Sequence, residues 1–126
     1  MELKHEDLDG RNWRVVEDFS YQTNIQLKET ITSNFFIHHS NGRIDVFKGF
    51  CWDGPSGGFD TKNAMLASLL HDIGCVMRAR DQLTDDEIDQ FDDLYYTVCV
   101  EEGMSKFRAG YMFAAISANT KIRYGV

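Results

Sequence analysis

Three residues of this chain have the types and spacing for acid–base chemistry. His71 and Asp72 are adjacent in "LLHDIGC" (residues 69–75), and Asp92 follows in "QFDDLYY" (residues 90–96). An imidazole oriented by one carboxylate can take a proton from water near neutral pH, and a second carboxylate beside it can hold a cation. Whether His71 and Asp92 can meet depends on helix geometry. Each lies about ten residues from a turn expected at Asp81-Gln82, so two helices folded back on that turn would hold them at one height. At about 100° per residue, the apolar stripe of the second helix is Ile88, Phe91, Tyr95, Val98 and Cys99. Asp92 falls on the flank of that stripe, whereas Asp89 and Asp93 point away. Around His71, the positions three and four away are Ala67, Ser68, Gly74 and Cys75. All are small, which leaves room over the imidazole for a loop or a substrate. The competing reading is a surface or core histidine satisfied by a nearby acid.

A third component precedes this pair. In "CWDGPSGG" (residues 51–58), Gly54, Gly57 and Gly58 open backbone conformations closed to other residues, and Pro55 stiffens the segment. Carbonyls converging from such a loop, joined by the Asp72 carboxylate, would make the oxygen-rich set that Ca²⁺ prefers. A tight turn joining a strand to a helix would use Gly and Pro equally well.

The elements that must position these groups change character near residue 60. Before it come short alternating stretches, "NWRVVEDFSY", "TNIQLKE", "NFFIHH" and "RIDVFKGF", separated by signals such as "SNG" at 40–42. After it, Leu66, Leu69, Leu70, Ile73, Val76 and Met77 recur at helical spacing over about 61–79. A second helix is expected over about 85–102, with Thr84 as cap and Glu87 reaching back in a capping box. Gly103 would stop it, and a third helix would run over about 105–120. The reading is an α+β fold in one domain: a flexible 1–10, a β-rich 11–51 forming an antiparallel meander, a glycine-rich loop 52–60, and a helical 61–120 whose first two helices form an antiparallel hairpin.

Composition narrows the function classes. At 126 residues and 43% hydrophobic content, one domain can bury roughly two-thirds of its unfolded surface. Cys51, Cys75 and Cys99 have no CxxC spacing, which predicts free thiols in a reducing compartment. A net charge of -7 and a pI near 4.9 argue against nucleic acid as a partner. No run approaches the roughly 18 apolar residues of a membrane span, and "MELKHEDLDG" lacks the pattern of a signal peptide, so the chain is expected to begin at Met1.

From Trp13 to Gly125 the chain resembles the phage-associated domain of unknown function 1353 family, through "GFCWDGPSG", "DTKN", "ASLLHDIG", "QFDDLYY" and "EEGMSKFRAGYMF". That resemblance implies a phage-encoded protein in the infected host's cytoplasm or in the virion, and it supplies no activity. The site is similar also to calcium-dependent phospholipases of the A-two type, above all the compact viral capsid form. This second similarity implies that Gly54, Ser56 and Gly58 offer carbonyls, Asp72 holds calcium, His71 activates water and Asp92 orients His71, with Asp53 and Trp52 as candidate supporting residues. Where those enzymes commonly carry Tyr four residues after the histidine, this chain has Cys75. "LLHDIG" resembles, further, the signature of the metal-dependent HD phosphohydrolases, and His39 stands 32 residues upstream of His71. Those enzymes are helical throughout, and "SNGRIDVFKGFCWDGPSGG" could not support the required helix. His38 and His39 therefore read as strand-end residues.

The expected activity is calcium-dependent hydrolysis of a phospholipid-like ester. The competing class is a virion component or host-directed binding module, with Trp13, Trp52 and the tyrosines as exposed contacts on an unidentified phage or host protein.

Overall fold

The computed structural model describes residues 3–8, 13–52 and 62–124. The chain divides into two compact units, Met1–Gly54 and Pro55–Val126.

The first unit is antiparallel β structure. Its strands are β1 (His5–Asp7), β2 (Trp13–Val15), β3 (Phe19–Gln22), β4 (Ile31–Thr32), β5 (Phe36–His38), β6 (Arg43–Val46) and β7 (Cys51–Trp52). They form two sheets, in the orders β1-β2-β7 and β3-β6-β5-β4, rather than one meander. The departure comes from long-range pairing: β2 takes β7 as its partner in the register Trp13↔Trp52, and β3 takes β6 in the register Phe19↔Val46. Alternation puts Val15, Phe19, Phe36, Ile44 and Val46 among the buried side chains. Phe36 and Phe50 meet edge to face at 6.1 Å.

The segment at 23–29 alternates like a strand yet joins neither sheet. Thr23, Ile25 and Leu27 are buried, while its backbone bonds go to a turn: Thr23 N donates to Gly42 O and Leu27 N to Ser40 O. Gly42 closes that turn at φ 96, and a Cβ there would collide with the Thr23 carbonyl oxygen. His38 ends β5 fully buried, with Nε2 2.9 Å from the Ile25 carbonyl oxygen. His39 pairs with Asp45 at 2.7 Å. Both histidines thus serve the β unit. Residues 39–52 are turn and strand, which removes the helix that the phosphohydrolase reading requires, and 53–60 lie outside the described residues.

The second unit is three helices, α1 (Lys62–Ala79), α2 (Asp85–Glu101) and α3 (Lys106–Tyr124). α1 ends as Asp81 adopts φ 57 and Gln82 N donates to Met77 O at 3.0 Å, which satisfies a terminal carbonyl. Three residues later α2 begins with the expected capping box. Thr84 Oγ1 accepts from Glu87 N, and the Glu87 carboxylate accepts from Thr84 N. Asp85, Asp86 and Glu87 place negative charge on the positive end of this helix. Gly103, at φ 97, terminates α2. α3 tolerates Gly110 and continues past the expected residue 120, since from Tyr111 onward no Gly or Pro occurs before Gly125.

α1 and α2 form the antiparallel hairpin. Near its open end, Asn63 Nδ2 donates to Glu102 O at 2.6 Å. Near its middle, the helices approach at Gly74, where an added Cβ would stand 2.8 Å from the Phe91 ring. Gly74→Ala should therefore destabilise the protein although alanine is the better helix former. Propensity would contribute about 1 kcal/mol in its favour, against about 1 to 3 kcal/mol for forcing a ring aside in a packed core. Urea unfolding should show a net loss of roughly 1 kcal/mol; a gain would mean that the helices separate at little cost.

Candidate functional site

The hairpin brings His71 and Asp92 together. His71 lies in the middle of α1, Asp92 lies on the flank of the stripe formed by Ile88, Phe91, Tyr95, Val98 and Cys99, and His71 Nε2 is 3.1 Å from Asp92 Oδ1. The pair is largely dry, with side-chain exposures of 19% for His71 and 5% for Asp92. Tyr95 stands edge-on to the imidazole at 5.9 Å and 89°. Asp89 and Asp93 are exposed, as the helical phase requires.

The electrostatics follow from this placement. Burial opposes a charge on His71, but the hydrogen bonds to Asp92 and Cys75 and their nearby charge outweigh it and raise the imidazole from 6.5 to about 9. At neutral pH the pair is therefore an imidazolium held by a carboxylate. Burial also pushes the Tyr95 phenol up, helped by charge at Cys99 and Asp72. The Tyr95 hydroxyl is buried and has no hydrogen-bond partner among the described residues.

The other nitrogen of His71 meets a residue expected only to leave space. Cys75 Sγ lies 3.7 Å from His71 Nδ1, and Arg78 Nη2 donates to Cys75 Sγ at 3.6 Å. Positions 71, 75 and 78 share one helical face, so the spacing carried this signal; reading Cys75 for size alone missed it. Beside these groups is a cleft of about 10 Å³ lined by His71, Cys75, Arg78, Leu83, Ile88 and Phe91, among others. That is the room of about one water molecule.

Asp72 is half-buried on α1. Trp52 is 4% exposed in β7, because its strand pairs with β2, and this corrects the expectation of an exposed contact. Trp13 is half-buried, whereas Tyr111 is exposed. Asp53, Gly54, Ser56 and Gly58 lie outside the described residues. Among the described residues no group of three or more His, Cys, Asp or Glu side chains is arranged to hold a metal ion. No helix among them is long and apolar enough to cross a membrane.

No family model, curated protein or solved structure matches the chain. The functional reading therefore rests on the side chains themselves.

Proposed function

We propose that this is a small phage-encoded ester hydrolase, calcium-dependent and directed at phospholipid-like esters, in which His71 takes the proton of the attacking water and Asp92 orients His71. One observation carries the reading: Asp92 engages Nε2, which fixes the imidazole beside a water-sized cleft, with Cys75 Sγ alone on the Nδ1 side at 3.7 Å among the described residues, a contact that a water would replace for proton transfer. Asp72 suits calcium in kind, a half-buried carboxylate next to the base in sequence. Calcium takes oxygen donors of this type, and the loop carbonyls that the phospholipase resemblance implies would complete the set. Bound there, calcium would supply positive charge to the developing oxyanion. The protein's own work is to fix the imidazole tautomer and exclude bulk water from the pair. Such a protein would act in the infected host's cytoplasm or in the virion.

A second reading, a non-enzymatic virion component or binding module, is favoured by a different observation. Phe107 and Tyr111, four residues apart on α3, are 89% and 63% exposed.

Fatty-acid release from short-chain phospholipid, with and without calcium, tests the first reading. Turnover abolished by chelation is expected. Calcium at about 100 times its dissociation constant should add roughly 2.7 kcal/mol of stability, lost in Asp72→Asn. No turnover together with an unchanged melting temperature in millimolar calcium would overturn the reading. A metal-independent complex broken by Phe107→Ser would favour the second.

A further inference from the structure

The three thiols of the chain sit in different surroundings, and among the described residues only Cys75 has acid–base partners beside a cleft. Cys51 is exposed and donates to its neighbour Gly49 O at 3.4 Å. Cys99 is fully buried, and burial pushes its thiol up to about 11. Cys75 is half-buried, with His71 Nδ1 at 3.7 Å and Arg78 Nη2 at 3.6 Å, and Asp92 holds the far side of the imidazole at 3.1 Å. This is the order nucleophile, base and orienting carboxylate that activates a thiol, with a guanidinium added.

We propose that Cys75 is a peroxide-reactive thiol, oxidised to a sulfenic acid by hydrogen peroxide or a small hydroperoxide with the assistance of His71 and Arg78. The size of the cleft limits how much of a reactant can reach the sulfur. Room for about one water at the sulfur takes a single oxygen of a peroxide, while Leu83, Ile88 and Phe91 line the rest of the wall. The step balances without another reagent. In its neutral form His71 takes the thiol proton as the sulfur attacks one peroxide oxygen; the S–O bond forms and the O–O bond breaks. The electron pair leaves on the second oxygen, which takes the proton from His71 and departs as water, or as an alcohol from an alkyl hydroperoxide. Sulfur is oxidised and the peroxide is reduced. Arg78 faces the charge that develops during the transfer, and Asp92 is a positioning residue that keeps Nδ1 turned to the sulfur. The proposal uses the geometry of the His71–Asp92 pair and does not depend on ester hydrolysis.

The test is made on the full reduced chain. Hydrogen peroxide is added near stoichiometry, sulfenic acid is trapped with a cyclic 1,3-diketone, and the label is mapped by peptide mass spectrometry. Cys75 is expected to label at least tenfold faster than Cys51 or Cys99. Arg78→Gln and His71→Ala should each slow Cys75 labelling about tenfold or more, and Arg78→Lys should restore part of the rate. Because the comparison among the three thiols of the native chain stands alone, a variant that fails to fold does not remove the test. Labelling of Cys51 as fast as Cys75, or a Cys75 rate unchanged in a folded Arg78→Gln or His71→Ala protein, would overturn the proposal. Ester turnover that fails while Cys75 labels fast would sink the hydrolase and leave the thiol chemistry standing.

Discussion

Asp92→Ala is expected to lower the unfolding free energy by about 3 kcal/mol at pH 6, the low end of what removing one partner of a buried ion pair costs. The low end applies because 19% of the His71 side chain remains exposed. The loss should depend on pH in a defined direction. The folded protein holds His71 at about 9, above its ordinary 6.5, so the folded state binds the proton more tightly than the unfolded state. The resulting stability is fully present below about 6.5 and is lost as pH rises through about 9. Wild type and variant should therefore differ most near pH 6 and converge near pH 10 in urea unfolding. An equal difference at both values would assign the loss to packing rather than to charge.

Turnover by the proposed hydrolase should fall by about 100-fold or more in His71→Ala and in Asp92→Asn, within the range of roughly 10² to 10⁴ that a positioned proton acceptor contributes. Asp93→Asn should change it by no more than about twofold, because Asp93 is exposed and points away from the imidazole. The active form of His71 is the neutral one. Since the pair holds the proton to about 9, turnover should climb with pH up to that value instead of levelling near 6.5. A plateau near 6.5, or full activity in His71→Ala, would place the base elsewhere.

Those features that depend on local chemistry or on helix geometry were legible in the sequence. Thr84 and Glu87 announce the start of α2 because both halves of the capping box are side chain to backbone within four residues. The level placement of residues 71 and 92 follows from equal distance to the Asp81 turn and a constant rise per residue. What was not legible depends on long-range pairing. Nothing local to Trp13 or Trp52 gives their register, so the separate β1-β2-β7 sheet and the burial of Trp52 stayed hidden. At 23–29 the alternation of Thr23, Ile25 and Leu27 followed burial alone, while the backbone bonds went to the Gly42 turn. The charge on His71 is a balance between burial and the Asp92 bond, and a balance of that kind needs a distance. The partnership of Cys75 with Nδ1 likewise required the side-chain rotamers as well as the spacing.

The most direct measurement is a pH series of nitrogen chemical shifts of the His71 ring, in the native chain and in Asp92→Asn. The ring is expected to titrate near 9, to keep its proton on Nε2 against Asp92 when neutral, and to fall toward 6.5 in Asp92→Asn. A His71 ring that titrates near 6.5 in the native chain and does not respond to Asp92→Asn would contradict the pairing of His71 with Asp92.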